Sequence, residues 1–242
     1  MMPDAHLSLI IPAYNEQENI KELLQRVSSA LEKLPQPFEV IIVDDGSTDD
    51  TPRLLDEAMQ TRPWLRVLRM ARNGGQSAAF DAGFKAARGQ VIATIDADLQ
   101  NDPEEVPRLA TMLCDGTDMV SGWRQSRQDT PMRRLQSRIA NRIRNWISEE
   151  TIQDSASSLK VYKRKCLEGI QLYKGMHRFM PTLVKMRGFT VIEEPVKHSP
   201  RFAGTAKYGF RNRAWRAFVD LLAVRWMKSR YLRYEVREVG RR

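Results

Sequence analysis

The sequence predicts an α/β fold in which helices flank an open, mainly parallel, twisted sheet. Short apolar runs alternate along the chain with segments whose apolar residues recur at helical spacing. The apolar runs lack polar residues at alternate positions, which is typical of strands buried on both faces of a parallel sheet. With 242 residues, the chain is long enough for one such domain with a C-terminal appendage.

The first half of the chain repeats a strand, a loop and a helix. Strands are predicted at residues 7–11, 38–43, 65–70, 91–95 and 118–122, with helices at 19–34, 51–59, 76–87 and 103–114. Pro52 supports the second helix because its fixed φ suits the first turn. The tripeptide Asn73-Gly74-Gly75 ends the third strand, since paired glycines break regular structure.

The second half is less regular. It is predicted to contain a helix at 131–148, a polar turn that begins at Asp154 and enters a strand, a strand at 190–196 and a basic helix at 208–232. In the helix at 131–148, arginines lie on one face beside an apolar stripe. We therefore expect a domain over residues 1–208 and a basic amphipathic helix and tail over 209–242.

The net charge of +9 is concentrated at the C-terminus. The last 42 residues contain 12 Lys or Arg and three acidic residues, so the rest of the chain is balanced. A basic segment of this kind suits nucleic acid or an anionic membrane surface, and an ordinary solvated surface explains it equally well. The C-terminal helix either lies on a membrane or packs back on the domain.

The cysteine count and the hydropathy pattern favour a reducing compartment. Cys114 and Cys166 are far apart and show neither a disulfide pattern nor zinc-ligand spacing, so a cytoplasmic location is expected. Pro3, Asp4 and His6 interrupt any N-terminal apolar region, which disfavours a signal peptide. The longest charge-free run of the C-terminal helix is far shorter than the ~20 residues of a bilayer span.

Two carboxylates follow the predicted strand at 91–95. Asp96 and Asp98 share one face if the chain is extended there, and Gln100 offers an amide oxygen on the same side. Buried carboxylates need compensation, and Mg²⁺ or Mn²⁺ is commonly held by one or two of them together with phosphate oxygens. A solvated acidic turn is the alternative.

Polar residues also follow the first two strands. Glu16 comes after the first strand and the pair Asp44-Asp45 after the second. Ligands of open α/β sheets bind outside the carboxyl ends of the strands, so these side chains are expected to meet Asp96 and Asp98 in one crevice. The sequence contains neither a Gly-x-Gly-x-x-Gly after the first strand nor a P-loop, which disfavours a dinucleotide or Walker-type site.

With these residues in view, the chain resembles the family 2 glycosyltransferases of GT-A fold, and among them the branch that uses polyprenyl or dolichyl phosphate. The resemblance extends from Leu7 to about Tyr208. It rests on six motifs in the family's order: Ile11-Pro12-Ala13-Tyr14-Asn15-Glu16, Val43-Asp44-Asp45-Gly46-Ser47-Thr48-Asp49, Asn73-Gly74-Gly75-Gln76-Ser77-Ala78-Ala79, Asp96-Ala97-Asp98-Leu99-Gln100-Asn101-Asp102-Pro103, Gly122-Trp123-Arg124 and Arg201-Phe202-Ala203-Gly204-Thr205-Ala206-Lys207-Tyr208.

The resemblance implies a role for each motif. The nucleoside of the donor would be held by Pro12, Tyr14, Glu16, Asp44 and Asp45. The Asp96-Ala97-Asp98 motif would contact the donor, with Asp96, Asp98 and Gln100 binding Mg²⁺ or Mn²⁺. The acceptor phosphate would be received by Arg124, Arg133 or Arg134, and Ser137, while Arg201 and Lys207 would close over the phosphates. Asp98, Arg124 and Asp154 are the implied catalytic residues, with Asp154 in an orienting or electrostatic role.

The implied reaction is inverting transfer of a sugar from a GDP- or UDP-sugar to a polyprenyl phosphate at the cytoplasmic face of the plasma membrane. A soluble or cell-envelope saccharide is the alternative acceptor. Two features depart from the branch: Ala156-Ser157 follows Asp154 in place of a Gly-Cys pair, and the transmembrane helices of many relatives are missing. Membrane contact would then need the basic helix or a separate membrane subunit, and a homo-oligomer is compatible with the sequence.

Two other classes are disfavoured. A nucleic-acid-binding module would explain the basic tail, but the predicted acidic crevice would repel phosphodiesters. A nucleotidyltransferase would be expected to carry a glycine- and lysine-rich triphosphate loop near the first strand, and the sequence has none.

Overall fold

The computed structural model describes residues 6–124, 152, 154, 157–199, 210–232 and 234. Its strands are β1 (Leu7–Ala13), β2 (Phe38–Asp44), β3 (Leu65–Arg69), β4 (Val91–Thr94), β5 (Met119–Arg124), β6 (Lys160–Lys163) and β7 (Val191–Val196). Its α-helices are α1 (Ile20–Leu31), α2 (Thr51–Met59), α3 (Gln76–Ala86), α4 (Glu105–Ala110), α5 (Met180–Met186) and α6 (Phe210–Arg230). Two 3₁₀ turns lie at Arg164–Cys166 and Met176–Phe179.

The described strands form one mostly parallel sheet in the order β3-β2-β1-β4-β6-β5-β7. β3, β2, β1 and β4 run parallel, β6 is antiparallel to both of its neighbours, and β7 is parallel to β5. The predicted fold class is therefore confirmed. Because β2, β1 and β4 are adjacent and parallel, their carboxyl ends lie at one edge of the sheet.

The core has one layer on each face of the sheet. Leu9 and Ile11 of β1 pack with residues of α1, α2 and α4, whereas Ile10 packs with residues of α3 and α5. Alternate residues of a strand point to opposite faces, so one continuous apolar run supplies both layers. This explains why β1 and β2 show no polar alternation.

Some element boundaries differ from the prediction. β4 ends at Thr94 because the chain turns before Asp98, and α4 is shorter than the predicted 103–114 because residues 111–117 form turns. β5 continues past Gly122 because Arg124 pairs with Val196 of β7. The predicted helix at 131–148 lies outside the described residues.

The C-terminal helix α6 packs on the domain through one face. Leu221 and Val224 are buried in the core layer that also contains Phe179 and Leu183. Gly175 has a φ of +86°, and a Cβ at this position would clash with the carboxylate of Asp220 on α6. In the described part of the chain, no helix combines the length and apolar character needed to cross a membrane.

Glu39 connects several elements at the amino-terminal side of the sheet. This residue of β2 is 2% exposed, and its carboxylate accepts hydrogen bonds from Ser8 Oγ and the Arg88 backbone N–H, both at 2.6 Å. It also forms an ion pair with Arg66 of β3 at 2.5 Å. Burial alone would raise the pKa of Glu39, but the hydrogen bonds from Ser8, Arg66 and Arg88 outweigh it and hold the pKa below its ordinary value.

We expect Glu39→Ala to lower the free energy of unfolding at neutral pH by about 2 kcal/mol, because the half-buried Arg66, the buried Ser8 hydroxyl and the Arg88 N–H lose their partner. Urea denaturation measures this effect. The matched control is Glu57→Ala, which removes an exposed carboxylate paired with Arg53 and should change stability by less than about 1 kcal/mol. The contribution of Glu39 should be complete above the ordinary pKa of 4.5 and disappear as the pH falls through the lowered native pKa. Equal losses in the two variants would contradict the assignment.

Candidate active site

The loops after β1 and β2 are joined by hydrogen bonds at the carboxyl edge of the sheet. The backbone N–H of Asn15 donates to Ser47 Oγ at 2.9 Å, and the Thr48 N–H donates to the Asn15 side-chain oxygen at 2.7 Å. The Glu16 N–H donates to Thr51 Oγ1 at 2.8 Å. Asn15 has a φ of +52°, which a non-glycine residue seldom adopts. The two loops are therefore held in one arrangement, with Pro12, Tyr14 and Glu16 at this edge.

Asp44 and Asp45 are both buried, and both support these loops. The Asp45 carboxylate accepts hydrogen bonds from the backbone N–H groups of Gly74 at 2.7 Å and Gly75 at 2.9 Å. Asp44 Oδ1 accepts from the Ser47 N–H at 2.9 Å, and its Oδ2 lies 3.5 Å from Arg69 Nε. The sequence predicted this pair at the site, but not that Asp45 holds the loop at Gly74 and Gly75, here termed the glycine loop.

The glycine loop leads directly to a contact with the Asp-x-Asp motif. Gln76, the first residue of α3, donates from Nε2 to Asp96 Oδ1 at 2.7 Å. Hydrogen bonds thus link the end of β2 to the residues that follow β4, through Asp45, the glycines and Gln76. The role of Gln76 was not predicted, and its place in a family motif was the sequence signal available.

The segment from Asp96 to Gln100 is a turn, not an extended strand. Leu99 has a φ of +60° and is buried, and the Gln100 N–H donates to Asp98 Oδ1 at 3.2 Å. The prediction that Asp96 and Asp98 share one face was based on the alternation of side chains along a strand. That alternation applies only to extended backbone, so the basis of the prediction is wrong. Two contacts fix this turn. Ala97 is buried, and the Gln100 carbonyl accepts a hydrogen bond from the Ser199 N–H at 3.0 Å.

The two carboxylates are nevertheless close enough to interact. Burial and the negative charge of Asp98 raise the pKa of Asp96 to about 6, although Ser158, Lys160 and Arg124 oppose the shift. A divalent cation would relieve this repulsion. Among the described residues, no group of three or more His, Cys, Asp or Glu side chains is placed to hold a metal. Asp96 and Asp98 would therefore need neutral oxygens such as that of Gln100 and donor phosphates, which suits Mg²⁺ or Mn²⁺.

Arg124 and Asp154 form a bidentate ion pair, and the charge of Arg124 also acts on Asp96. Arg124 Nε donates to Asp154 Oδ2 at 2.6 Å, and a terminal guanidinium nitrogen donates to Oδ1 at 3.0 Å. Asp154 is buried and the Arg124 side chain is 18% exposed. Pairs with this geometry are among the strong charge-assisted contacts. Of the three residues predicted to be catalytic, Arg124 and Asp154 are in direct contact, and the charges of Arg124 and Asp98 both act on Asp96.

Lys160 is a buried cation that the sequence analysis did not place at the site. It is 2% exposed, pairs in the sheet with Thr94 of β4 and Ser121 of β5, and donates from Nζ to the Ser157 carbonyl. Burial lowers the pKa of Lys160 to about 8, against the favourable charges of Asp154 and Asp96. The sequence alone does not give the register of this strand, so it could not predict that the Lys160 ammonium is buried and donates to the Ser157 carbonyl.

Five predicted site residues lie outside the described part of the chain: Arg133, Arg134, Ser137, Arg201 and Lys207. The described segment that precedes two of them reaches the site, because Ser199 bonds to Gln100 and His198 forms a bridge with Asn101.

Solved structures of glycosyltransferases share this fold. A mannosyltransferase from Pyrobaculum calidifontis, solved with GDP-Man and Mn²⁺, is 22% identical over 94% of this chain and 64% of its own, with a TM-score of 0.62. Glucosyl-3-phosphoglycerate synthase from Mycobacterium tuberculosis, solved with Mn²⁺, UDP and phosphoglyceric acid, is 18% identical over 95% of this chain and 80% of its own, with a TM-score of 0.69. The present chain thus spans less than two thirds of the mannosyltransferase. At these identities the likeness shows the GT-A fold alone.

The family follows from the sequence match. The model of the family described as Glycosyl transferase family 2 matches residues 8–170, which contain β2 to β6, β1 from its second residue onward, and every described residue that was predicted at the site. The chain belongs to glycosyl transferase family 2.

Proposed function

We propose that this protein is an inverting, metal-dependent glycosyltransferase that moves a sugar from a GDP- or UDP-sugar to a polyprenyl phosphate. The observation that carries the proposal is the position of the Arg124–Asp154 pair beside Asp96 and Asp98. The acidic pair supplies a site for a divalent cation, and the neighbouring arginine supplies a binding group for a second phosphate. The described residues at the carboxyl edge of the sheet, here termed the rim, therefore support both a cation site and a phosphate site.

The donor would lie along the carboxyl ends of β1, β2 and β4. Pro12, Tyr14, Glu16, Asp44 and Asp45 would surround the nucleoside, since carboxylates suit ribose hydroxyls and base N–H groups. Asp96, Asp98 and Gln100 would hold Mg²⁺ or Mn²⁺, and Ala97 keeps the two carboxylates in the turn. When bound, the cation neutralises charge on the departing nucleoside diphosphate. The two similar structures described above contain Mn²⁺ with GDP-Man or UDP, which supports this donor class.

The acceptor would bind on the Arg124 side. Both oxygens of Asp154 accept hydrogen bonds from Arg124, so removal of an acceptor proton by Asp154 would compete with this ion pair. A phosphate monoester is already anionic near neutral pH and needs no such base. We therefore assign Asp154 to positioning Arg124 for the acceptor phosphate, together with Arg133 or Arg134 and Ser137. Arg201 and Lys207 would close over the phosphates.

The second candidate is transfer to a soluble or cell-envelope saccharide. It is favoured by the similar synthase from Mycobacterium tuberculosis, whose structure contains phosphoglyceric acid, a small soluble compound. Incubation of the protein with donor and either polyprenyl phosphate or soluble acceptors distinguishes the two. Transfer only to soluble compounds would favour this second candidate.

The proposed location is peripheral, at the cytoplasmic face of the plasma membrane. The excess of basic residues in the last 42 positions supports contact with an anionic surface or with a separate membrane subunit. The acidic rim disfavours nucleic acid as a partner. A homo-oligomer is compatible with this arrangement.

We expect Asp98→Ala to lower sugar transfer by about a hundredfold or more, because the divalent cation loses a carboxylate ligand. Transfer from a radiolabelled donor with Mn²⁺, followed by EDTA treatment and metal restoration, measures the effect. The control is Asp115→Ala, which removes an exposed carboxylate in the turn before β5 and should leave transfer unchanged. Undiminished activity of Asp98→Ala with EDTA present would show that the metal assignment is wrong.

We expect the affinity for Mn²⁺ to fall as the pH drops through about 6, because a proton on Asp96 competes with the metal. Below this pH, one competing proton weakens binding about tenfold per pH unit. Electron paramagnetic resonance of free Mn²⁺ measures the affinity. Nucleotide is left out, because its terminal phosphate titrates in the same range. An affinity that stays constant well below pH 6 contradicts the raised pKa.

We expect Arg124→Ala to raise the KM for polyprenyl phosphate at least about tenfold, since a charged group that binds the phosphate is removed, and to leave donor hydrolysis measurable. Asp154→Asn should also act mainly on this KM. The control is Arg53→Ala, which removes an exposed arginine of α2 and should change neither kcat nor the KM for polyprenyl phosphate. Steady-state transfer to the lipid measures these constants. If Asp154→Asn instead lowers kcat about 10⁴-fold at an unchanged KM, Asp154 is a general base.

A further inference from the structure

In the described part of the chain, helix α6 carries exposed apolar residues on a face other than the one that packs on the core. Phe218, Val219, Leu222 and Trp226, here termed the exposed strip, have exposed fractions of 39%, 47%, 45% and 65%. Successive helical residues are rotated by about 100°, so residues three, four and eight positions apart share one face. The exposed strip is therefore continuous and lies opposite the buried Leu221 and Val224.

Basic residues border the exposed strip on both sides. The helical rotation places Arg225 beside Phe218 at one edge and Arg230 beside Val219 at the other, and both arginines are exposed. Tyr231, Leu232 and Tyr234 continue the exposed apolar surface beyond the end of the helix. Scattered exposed apolar residues are common on protein surfaces. The exposed strip differs from them because it contains Phe218 and Trp226 and lies between two arginines on one helix face.

The orientation of the helix is determined by its packing. Asp220 lies 3.7 Å from Arg178 and contacts Gly175, while Leu221 and Val224 are inserted into the core layer. These contacts prevent the helix from rotating to bury the exposed strip against the domain. The exposed side chains of the strip, Trp226 above all, are therefore directed away from the core layer.

The charge of this region favours one partner. Residues 201–242 carry the entire net charge of +9, so a second copy of the same segment would be repelled. A bilayer with anionic headgroups attracts Arg and Lys, and Trp and Phe are stabilised at the boundary between headgroups and acyl chains. An anionic bilayer therefore complements both the charge and the apolar residues.

We infer that the exposed strip of α6 docks directly on the surface of an anionic bilayer, with Trp226 and Leu222 inserted at the interface and the arginines on headgroup phosphates. This inference rests on the proposed function, because a lipid acceptor must be reached from such a surface. It assigns the contact to lipid and not to a membrane subunit.

Flotation with vesicles of phosphatidylcholine alone, or of phosphatidylcholine with phosphatidylglycerol, tests the inference on the full chain. We expect flotation with the anionic vesicles only, reduced by salt. Leu222→Glu should lower the floated fraction about tenfold. The matched control is Met59→Glu on α2, on the opposite face of the sheet: it introduces the same charge at an apolar residue of 37% exposure and should float normally.

Donor hydrolysis with Mn²⁺ and no lipid is measured in parallel, so that failure of docking and failure of the proposed catalysis are distinguished. It should be unchanged in both variants. If Leu222→Glu does not fold, Trp226→Glu replaces it, because Trp226 is the more exposed. Equal flotation with neutral vesicles, equal loss in the α2 control, or binding only to membranes that contain protein would overturn the inference. Dimerisation without lipid that Leu222→Glu abolishes would overturn it in favour of a second copy.

Discussion

The arrangement of the site depends on an excess of negative charge buried at the carboxyl edge of the sheet. Asp96, Asp98 and Asp154 lie there with two described cations, Arg124 and Lys160. Burial of unbalanced charge costs several kcal/mol per ion, and the raised pKa of Asp96 shows that the balance is incomplete. A divalent cation would complete this balance, because its positive charge relieves the repulsion between the carboxylates.

The side chains of the site are coupled through the loops that carry them. Asp45 holds the backbone of Gly74 and Gly75, and the next residue, Gln76, holds Asp96. The charge of Lys160 interacts with those of both Asp96 and Asp154, and Asp154 in turn holds Arg124. The loop after β3 is thus coupled to the Arg124–Asp154 pair through hydrogen bonds and through the charges of Asp96 and Lys160, and preorganised polar groups of this kind are effective in catalysis because they need little rearrangement.

Much of the fold and part of the site were predictable because their signals are local. The uninterrupted apolar runs of β1, β2 and β4 require burial on both faces, and this requirement alone indicates a covered parallel sheet. Parallel strands end at a common edge, so Asp44, Asp45 and Asp96 could be expected to meet. The family could also be predicted, because each motif is a short contiguous stretch that can be recognised in the sequence, as can the order of the motifs.

Tertiary structure alone decided the remaining features, because they depend on residues far apart in the chain. The contact of Gln76 with Asp96 spans 20 positions, and the pair of Arg124 with Asp154 spans 30. The turn at Leu99, which replaced the expected extended segment, and the burial of Lys160 follow from packing that no local pattern encodes. The sequence by itself determined which residues could be buried and that the sheet would be mainly parallel. Only the tertiary structure decided which face of α6 is covered and which charges lie together at the rim, since both depend on how segments far apart in the chain pack against each other.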